Sequence, residues 1–207
     1  MSSLNVNTIG EYTSGNGVTI DGALIKDGKV TGGAAGLTLV TSGSVSAVTG
    51  ITLDNVFTST FPNYLFQFNG EGTTNNIEEL RLRLRASSST NSDSDSSFVA
   101  MLSHKVTGSS SGTGIESDID ASYFQLTGAW MDDEKITAQV TFLEPQVSGQ
   151  STSIQYQIGS EYNQGNEGYA THTGTGIKEG TGSFDGLYFY FDGSQTMTGN
   201  YRLYGYN

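Results

Sequence analysis

Apolar and polar residues alternate along most of the chain, and a two-residue period is typical of β-strands buried on one face. The clearest examples are the segments ELRLRLRA, KITAQVTFLE, TSIQYQIGS and GLYFYFDG. Weaker strand patterns cover residues 37–40, 50–57, 64–70, 97–105, 122–131, 168–175 and 199–207. No comparable stretch has a helical period. These strands, with NG, DG and DD turns between many of them, predict an all-β chain that folds as an antiparallel β-sandwich of jelly-roll-like type.

Two long polar segments interrupt the strand pattern. Residues 86–97 and 107–121 are rich in Ser, Gly and Asp, and a strand pattern follows each of them. We therefore expect them to be solvated loops within one domain. The sequence predicts a β-sandwich domain over residues 36–207, preceded by an extended stalk or attachment segment over residues 1–35.

The N-terminal segment differs from the rest in composition. It contains no Phe or Trp and a single Tyr, and its apolar residues are spaced between glycines. Val18, Ile20, Leu24 and Ile25 are too few to form a core, so we expect them to be buried against copies of the same chain. A symmetric homo-oligomer permits this because every copy presents the same surface. The alternative is an arm that becomes ordered only when it docks on another protein.

The charge balance excludes several classes of partner. The chain has 9 Lys and Arg residues against 21 Asp and Glu residues, for a net charge of −12. Nucleic acids and anionic lipids attract basic proteins, so neither is an expected partner. No apolar run approaches the length of a membrane span, and no membrane insertion is expected. Cysteine is absent, which excludes disulfides and fits assembly in a reducing cytoplasm.

Two patterns used in catalysis occur without their usual context. The segment GSSSG matches G-x-S-x-G around Ser110, but a nucleophile elbow requires a strand-to-helix turn that an all-β chain lacks. The two histidines, His104 and His172, are far apart in sequence and have no companions at metal-ligand spacing. We therefore expect no catalytic residue, no metal site and no cofactor.

Three acidic clusters lie in predicted turns, at residues 93–95, 116–120 and 132–134. Oxygen ligands at alternate loop positions suit Ca²⁺, but the spacing of an EF-hand is absent. Solvated turns are the simpler interpretation, and the sequence leaves Ca²⁺ binding open. The same carboxylates also fit a glycosidase acid pair, so a small carbohydrate-active enzyme is a further alternative.

Five aromatic residues form a candidate interaction surface, because we expect several of them to face outward or to lie in loops. They are Trp130, Tyr162, Tyr169, Tyr188 and Tyr190. Aromatic rings offer apolar faces on which sugar rings stack, and the tyrosine hydroxyl adds a polar group. The alternative is packing against another subunit, which is favoured for the last two.

A row of arginines lies on one face of a predicted strand. Arg81, Arg83 and Arg85 supply three of the nine basic residues in an acidic chain. We expect them to pair with carboxylates, either across strands or across subunits. Of the two, we favour a subunit interface, and exposed pairs of this kind contribute only about 0–1 kcal/mol each.

The N-terminal segment resembles a motif of virion appendage proteins from tailed bacteriophages, particularly those of marine and cyanobacterial hosts. In those proteins the phrase I-x-E-x-T-S-x-x-G-V-x-I-D-G-x-x-I-K-D-G lies within or just before trimeric fibre segments. The residues that match it are Ile9, Glu11, Thr13, Ser14, Gly17, Val18, Ile20, Asp21, Gly22, Ile25, Lys26, Asp27 and Gly28.

A second resemblance lies at the C-terminal end of the chain. Its last strand is similar to a phrase that ends β-sandwich domains of phage structural proteins, through Gly199, Leu203, Tyr204 and Gly205. Residues 51–68 look like the start of such a domain. No catalytic or ligand-binding residue is implied by either phrase.

The two resemblances imply a structural protein of a phage virion, assembled in the host cytoplasm. They imply a homotrimeric fibre-type appendage that contacts other virion proteins through its N-terminal segment. Its β-sandwich head would contact a glycan or a protein of the host surface, without enzymatic activity. The alternative is a decoration or cement protein that stabilises the capsid.

Overall fold

The computed structural model describes residues 18–20, 23–26, 29–31, 36–73, 78–87, 89–90, 96–107, 110–128, 135–163, 167–180 and 182–207. Every regular element in these ranges is a β-strand, which confirms the all-β prediction for this part of the chain. No helix in these ranges is long and apolar enough to cross a membrane. The strands are β1 (Val18–Ile20), β2 (Ala23–Lys26), β3 (Lys29–Thr31), β4 (Thr38–Val48), β5 (Gly50–Leu53), β6 (Asn63–Gly72), β7 (Leu80–Ala86), β8 (Ser89–Thr90), β9 (Ser96–Thr107), β10 (Ser110–Ala121), β11 (Phe124–Gln125), β12 (Lys135–Leu143), β13 (Thr152–Asn163), β14 (Glu167–Lys178), β15 (Gly186–Phe191) and β16 (Met197–Tyr206).

The chain divides into two compact units, Met1–Gly36 and Leu37–Asn207. In the first unit, β1, β2 and β3 form an antiparallel sheet in that order.

The register of this small sheet assigns its apolar residues to faces. Val18 pairs with Ile25, and Ile25 pairs with Val30. Paired positions share a face, and so do alternate positions along a strand. Val18, Ile20 and Ile25 therefore lie at positions on one face of the sheet, and Leu24 lies at a position on the other.

The second unit contains two antiparallel sheets, an arrangement consistent with the expected β-sandwich. The eight-stranded sheet has the order β10-β9-β14-β13-β12-β6-β16-β4. The five-stranded sheet has the order β11-β7-β15-β5, with β8 paired to β7. Strand β12 shows the alternation most clearly, because its residues alternate between buried and exposed or half-buried along its whole length.

The core lies where apolar residues of the two sheets meet. Phe66 of β6 and Phe189 of β15 belong to opposite sheets, and their ring centroids are 5.1 Å apart. The loop residue Phe57 packs against Phe142 of β12 at 5.0 Å. The hydroxyl of buried Tyr64 donates a hydrogen bond of 2.7 Å to the carbonyl of Thr58, so this polar group is satisfied within the core.

Both edge strands of the eight-stranded sheet are irregular. The pairing of β4 with β16 shifts register twice, and so does the pairing of β10 with β9. At one shift in β4, Ala47 has a φ of 51° and its N–H donates a hydrogen bond of 2.9 Å to Oγ1 of Thr198. An extra residue in one strand of a pair increases its local twist, so neither edge is a straight, regular strand.

Two expectations from the sequence were wrong. Residues 107–121 were expected to be a solvated loop, but residues 110–121 form strand β10 and pair with β9. Strand β10 lies at the edge of the sheet and forms a hairpin with β9. Backbone pairing with β9 can therefore hold this Ser-, Gly- and Asp-rich segment as a strand although it has no regular apolar face. Residues 122–131 were expected to form a strand, but their described part contains only the two-residue strand β11.

A protein that starts at Leu37 should fold without the N-terminal unit. All of the described core residues lie between Ile51 and Leu203, so the deletion removes none of them. We expect this shortened protein to be soluble and β-rich by circular dichroism, and to unfold in one cooperative thermal transition. Aggregation of the shortened protein would show that residues 1–36 contribute to the sandwich.

A buried histidine lies on the inner face of the long sheet. His172 of β14 has 0% of its surface exposed. Burial lowers the pKa of His172 from 6.5 to about 4, because desolvation penalises the charged imidazolium. Between these two pH values the unfolded chain binds more protons at this site than the folded chain does.

Stability should therefore fall as the pH is lowered from about 6.5 to about 4. The contribution of His172 to this loss is about 3 kcal/mol, and it is complete below the folded-state pKa. Urea unfolding across this pH range should show a shallower pH dependence for His172→Gln than for the wild-type protein. The matched control is His104→Gln, which changes the other histidine. An equal pH dependence for wild type and His172→Gln would contradict the assignment.

Candidate functional site

The outward positions of the two sandwich sheets form two surfaces of different chemistry. The first is the Arg–Tyr face of the five-stranded sheet, which consists of Arg81, Arg83, Arg85, Tyr188 and Tyr190. Register places Tyr188 beside Arg83 and Tyr190 beside Arg81. The sequence had assigned the arginine row and the two tyrosines to separate surfaces. The structure brings them together on one face.

Two of the three arginines have carboxylate partners within the chain. Arg81 lies between two carboxylates, with Nη2 2.7 Å from Oε2 of Glu79 and Nη1 2.6 Å from Oδ1 of Asp192. Arg85 is buried, and its Nε donates a hydrogen bond of 2.6 Å to Oδ1 of Asp54. These pairs fix two guanidinium groups and compensate most of their charge locally.

Arg83 is different, because it has no carboxylate partner in the described part of the chain. Its Nη2 donates a hydrogen bond of 3.3 Å to Oγ of Ser122, and its guanidinium lies 5.4 Å from the ring centroid of Tyr190. Both contacts leave the positive charge uncompensated. Of the three arginines, Arg83 is therefore the one best placed to accept a carboxylate from outside the chain.

The two tyrosines are stacked on each other. Their ring centroids are 4.4 Å apart and their planes differ by 6°. Gly50 of the neighbouring strand makes room for them, since a Cβ at this position would clash with Tyr188 and Tyr190. Tyr188 is half-buried, whereas Tyr190 is 8% exposed, and burial raises the pKa of its phenol. Tyr190 is therefore covered within its own chain, although it lies on an outward face.

The second surface is the amide–hydroxyl face of the eight-stranded sheet. It consists of the outward polar residues of β6, β12, β13, β14 and β16, namely Gln67, Asn69, Thr137, Thr141, Gln139, Gln155, Gln157, Thr171, Thr173, Thr175 and Asn200. The side chains lie in rows across the strands. One row runs from Gln67 through Gln139 and Gln157 to Thr173, since each residue pairs directly with the next.

Shallow depressions lie between these rows. One, of ≈ 300 Å³, is lined by residues that include Gln139, Gln155, Gln157 and Thr173. Another, of ≈ 210 Å³, lies beside Gln67 and is lined by neighbouring residues of β6, β12 and β16. The face therefore offers recesses rather than a smooth plane.

A third depression contains the most exposed aromatic residue of the described chain. Tyr169 is 67% exposed, and it lines a recess of ≈ 240 Å³ together with Lys135, Thr137, Gly159 and Glu161. Glycine keeps the floor of this recess open, because a Cβ on Gly159 would lie 2.9 Å from Oγ1 of Thr137. Tyr169 is thus an exposed ring at the border of a recess, and its role as a contact residue stays a prediction.

Other residues singled out in the sequence are only partly described. Trp130 and the acidic clusters at 93–95 and 132–134 lie outside the described residues. Tyr162 lies in β13 and residues 116–120 lie in β10, but their side chains are not described. The described residues contain no group of three or more His, Asp or Glu that could hold a metal ion.

Ser110 lies in an antiparallel hairpin. It is the first residue of β10 and pairs with Thr107 of β9. A nucleophile elbow instead places its serine between a strand and a helix, so the GSSSG segment does not have that geometry.

Sequence reasoning did not single out the amide–hydroxyl face. The signal was present in the polar positions of KITAQVTFLE, TSIQYQIGS and YLFQFNG, which hold Thr, Gln and Asn. Solvated strands more often carry charged residues there, which improve solubility and block edge pairing. The repeated choice of uncharged amides and hydroxyls across neighbouring strands could have identified the face.

Comparison with known proteins gives no relative for this chain. No family model, no curated protein and no solved structure matches it. The residues of the chain itself therefore carry the assignment of function.

Reversing the charge of Arg83 should weaken self-association if the Arg–Tyr face contacts a second copy. Arg83→Glu would place a carboxylate where we expect one from the partner, so the mass measured by light scattering should fall towards that of a monomer. Arg202→Glu makes the same charge change on the exposed outer side of the other sheet, and it is the matched control. Circular dichroism should confirm that both variants are folded. An unchanged oligomeric mass after Arg83→Glu would count against this interface.

Proposed function

We propose that the protein is a homotrimeric, fibre-type appendage of a tailed-phage virion. In this proposal the N-terminal unit joins the trimer to other virion proteins, and the β-sandwich unit contacts the host surface. The observation that carries the proposal is a small N-terminal unit, Met1–Gly36, whose residues match the appendage motif and whose described strands form a sheet with an apolar row.

A unit of this size needs further contacts to be stable. Chains below about 40 residues usually depend on disulfides, metals or oligomerisation. The protein has no cysteine, which removes the first of these. Val18, Ile20 and Ile25 lie at positions on one face of the three-stranded sheet, and burying that face against two symmetry-related copies would supply the missing core.

The sandwich is proposed to be a jelly roll, and its strand order supports this. The sandwich strands in chain order are β4, β5, β6, β7, β11, β12, β15 and β16, here numbered one to eight. The long sheet then contains the order 1-8-3-6, and the short sheet has the order 2-7-4-5. This is the strand order of a jelly roll, an architecture found in viral capsid proteins and lectins.

Two hairpins extend the long sheet beyond these eight strands. They are β9–β10 and β13–β14, and they add four strands on one side of β12. The extension enlarges the outer surface of one sheet without a matching increase in the other. A head with one enlarged face suits a protein that must contact a large surface, which favours the proposed role in host contact.

Copy number in purified virions tests the proposal. We expect quantitative mass spectrometry, with the major capsid protein as internal standard, to find a small number of copies in multiples of three. Light scattering of the purified protein should give the mass of a trimer at micromolar concentration. A copy number comparable to that of the capsid protein would instead indicate a decoration protein. Absence from the particle, or a monomeric mass, would overturn the proposal.

A further inference from the structure

The amide–hydroxyl face has a chemistry that points to one class of ligand. We propose that it binds a neutral polysaccharide, which lies across strands β6, β12, β13 and β14. The biological role of such binding rests on the proposed host contact, whereas the binding itself can be measured on the isolated protein.

The first property of the amide–hydroxyl face that favours this ligand is its charge. Among the outward positions of β6, β12, β13, β14 and β16 whose side chains are described, the charged residues are Glu71, Lys135, Glu161 and Arg202. Two are acidic and two are basic, so their sum is zero, while the whole chain carries −12. The central rows of the face contain no acidic residue. A neutral face on a strongly acidic protein favours an uncharged ligand over a polyanion or a polycation.

The second property is the number of side-chain amides and hydroxyls that the face offers for hydrogen bonds. Gln139, Gln155 and Gln157 are exposed, and within the described residues no hydrogen bond engages their side-chain amides. Each glutamine amide offers two donor hydrogens and an acceptor oxygen, and each threonine hydroxyl offers both functions. A sugar hydroxyl likewise donates and accepts. The two sets of groups are therefore chemically complementary, since each can donate to and accept from the other.

The third property is the regular spacing of polar side chains across the strands. The row of Gln67, Gln139, Gln157 and Thr173 crosses three gaps between strands. Neighbouring strands lie about 4.8 Å apart, so the row is about 14 Å long. A repeating ligand can meet equivalent groups along such a row, whereas a single small molecule would use only a part of it.

The fourth property is the exposed aromatic ring of Tyr169 at one end of the face. Tyr169 borders the recess above Gly159, and Lys135 and Glu161 stand beside it. A sugar ring can stack on the tyrosine while the two charged groups bind its hydroxyls. This recess is the position at which we expect one sugar unit to be held most firmly.

A protein partner fits this face less well. The centres of protein interfaces are rich in aromatic, Met and Arg residues and gain free energy from buried apolar area. On strands β12, β13 and β14 the side chains of the central rows are Gln and Thr, so a protein partner would remove their hydration with little apolar gain there. The Arg–Tyr face has the composition of a protein interface, which leaves the amide–hydroxyl face accessible in the proposed trimer.

Affinity electrophoresis of the full-length protein tests the inference. Native gels would contain dextran, laminarin, galactomannan or a neutral bacterial O-polysaccharide, and alginate would serve as the anionic comparison. We expect retardation by at least one neutral polymer and none by alginate. Gln139→Ala/Gln157→Ala should weaken that binding at least about tenfold, since each lost hydrogen bond contributes on the order of 1 kcal/mol.

Two further variants keep the result interpretable. Tyr169→Ala removes an exposed ring that no core residue depends on, and it should also weaken binding. Gln150→Ala removes an exposed glutamine from the loop between β12 and β13, so it should bind as the wild type does. Thermal unfolding and light scattering of every variant would show that the fold and the oligomer are unchanged.

Three results of the gel experiment would overturn the inference. They are no retardation by any neutral polymer of the panel, retardation by alginate alone, and equal binding by the wild type and the double glutamine variant. A change of oligomeric mass in the glutamine variant would also overturn it, because the face would then be a subunit contact. None of these results depends on virion copy number, so the inference and the proposed function can fail separately.

Discussion

The rest of the structure depends on the alternation of side chains along the strands of two sheets whose apolar residues meet in one core. Because successive residues point to opposite sides, a strand that buries Ile136, Ala138 and Val140 in the core must present Thr137, Gln139 and Thr141 outward. Packing of the inward residues in the core thus fixes the positions of the outward residues, which lie in rows across the strands. Both candidate surfaces follow from this constraint, because each lies on the outward side of a sheet whose inward side chains are buried.

The same constraint explains how much of the fold the sequence predicts. Strands β7, β12, β13 and β15 have one apolar face each, and the two-residue period finds all four. Strand β10 has no such period, since Ser, Gly and Asp dominate it, and only its pairing with β9 makes it a strand. Pairing between distant segments is a tertiary property, so local patterns cannot reveal it.

The candidate sites were predictable to different degrees. Alternation places Arg81, Arg83 and Arg85 on one side of β7, but it does not show that Asp54 and Asp192 come from other parts of the chain to pair with two of them. Likewise, period two places Tyr190 outward without showing that Arg83 and Tyr188 cover it. The amide–hydroxyl face requires the register of five strands, which joins residues from Gln67 to Asn200.

The irregular edges of the long sheet have a consequence for how the protein behaves at high concentration. A straight edge strand exposes unpaired N–H and C=O groups, and such edges can pair side by side between molecules, as strands do in amyloid-like fibrils. Here an extra residue interrupts β4 near Ala47, and the outermost strand β10 carries Glu116, Asp118 and Asp120 as well as its own register shifts. Register shifts at both edges of the sheet, together with the acidic residues of β10 at one of them, oppose the pairing of one molecule's edge with the next, so a concentrated solution of the protein should not form an open-ended polymer.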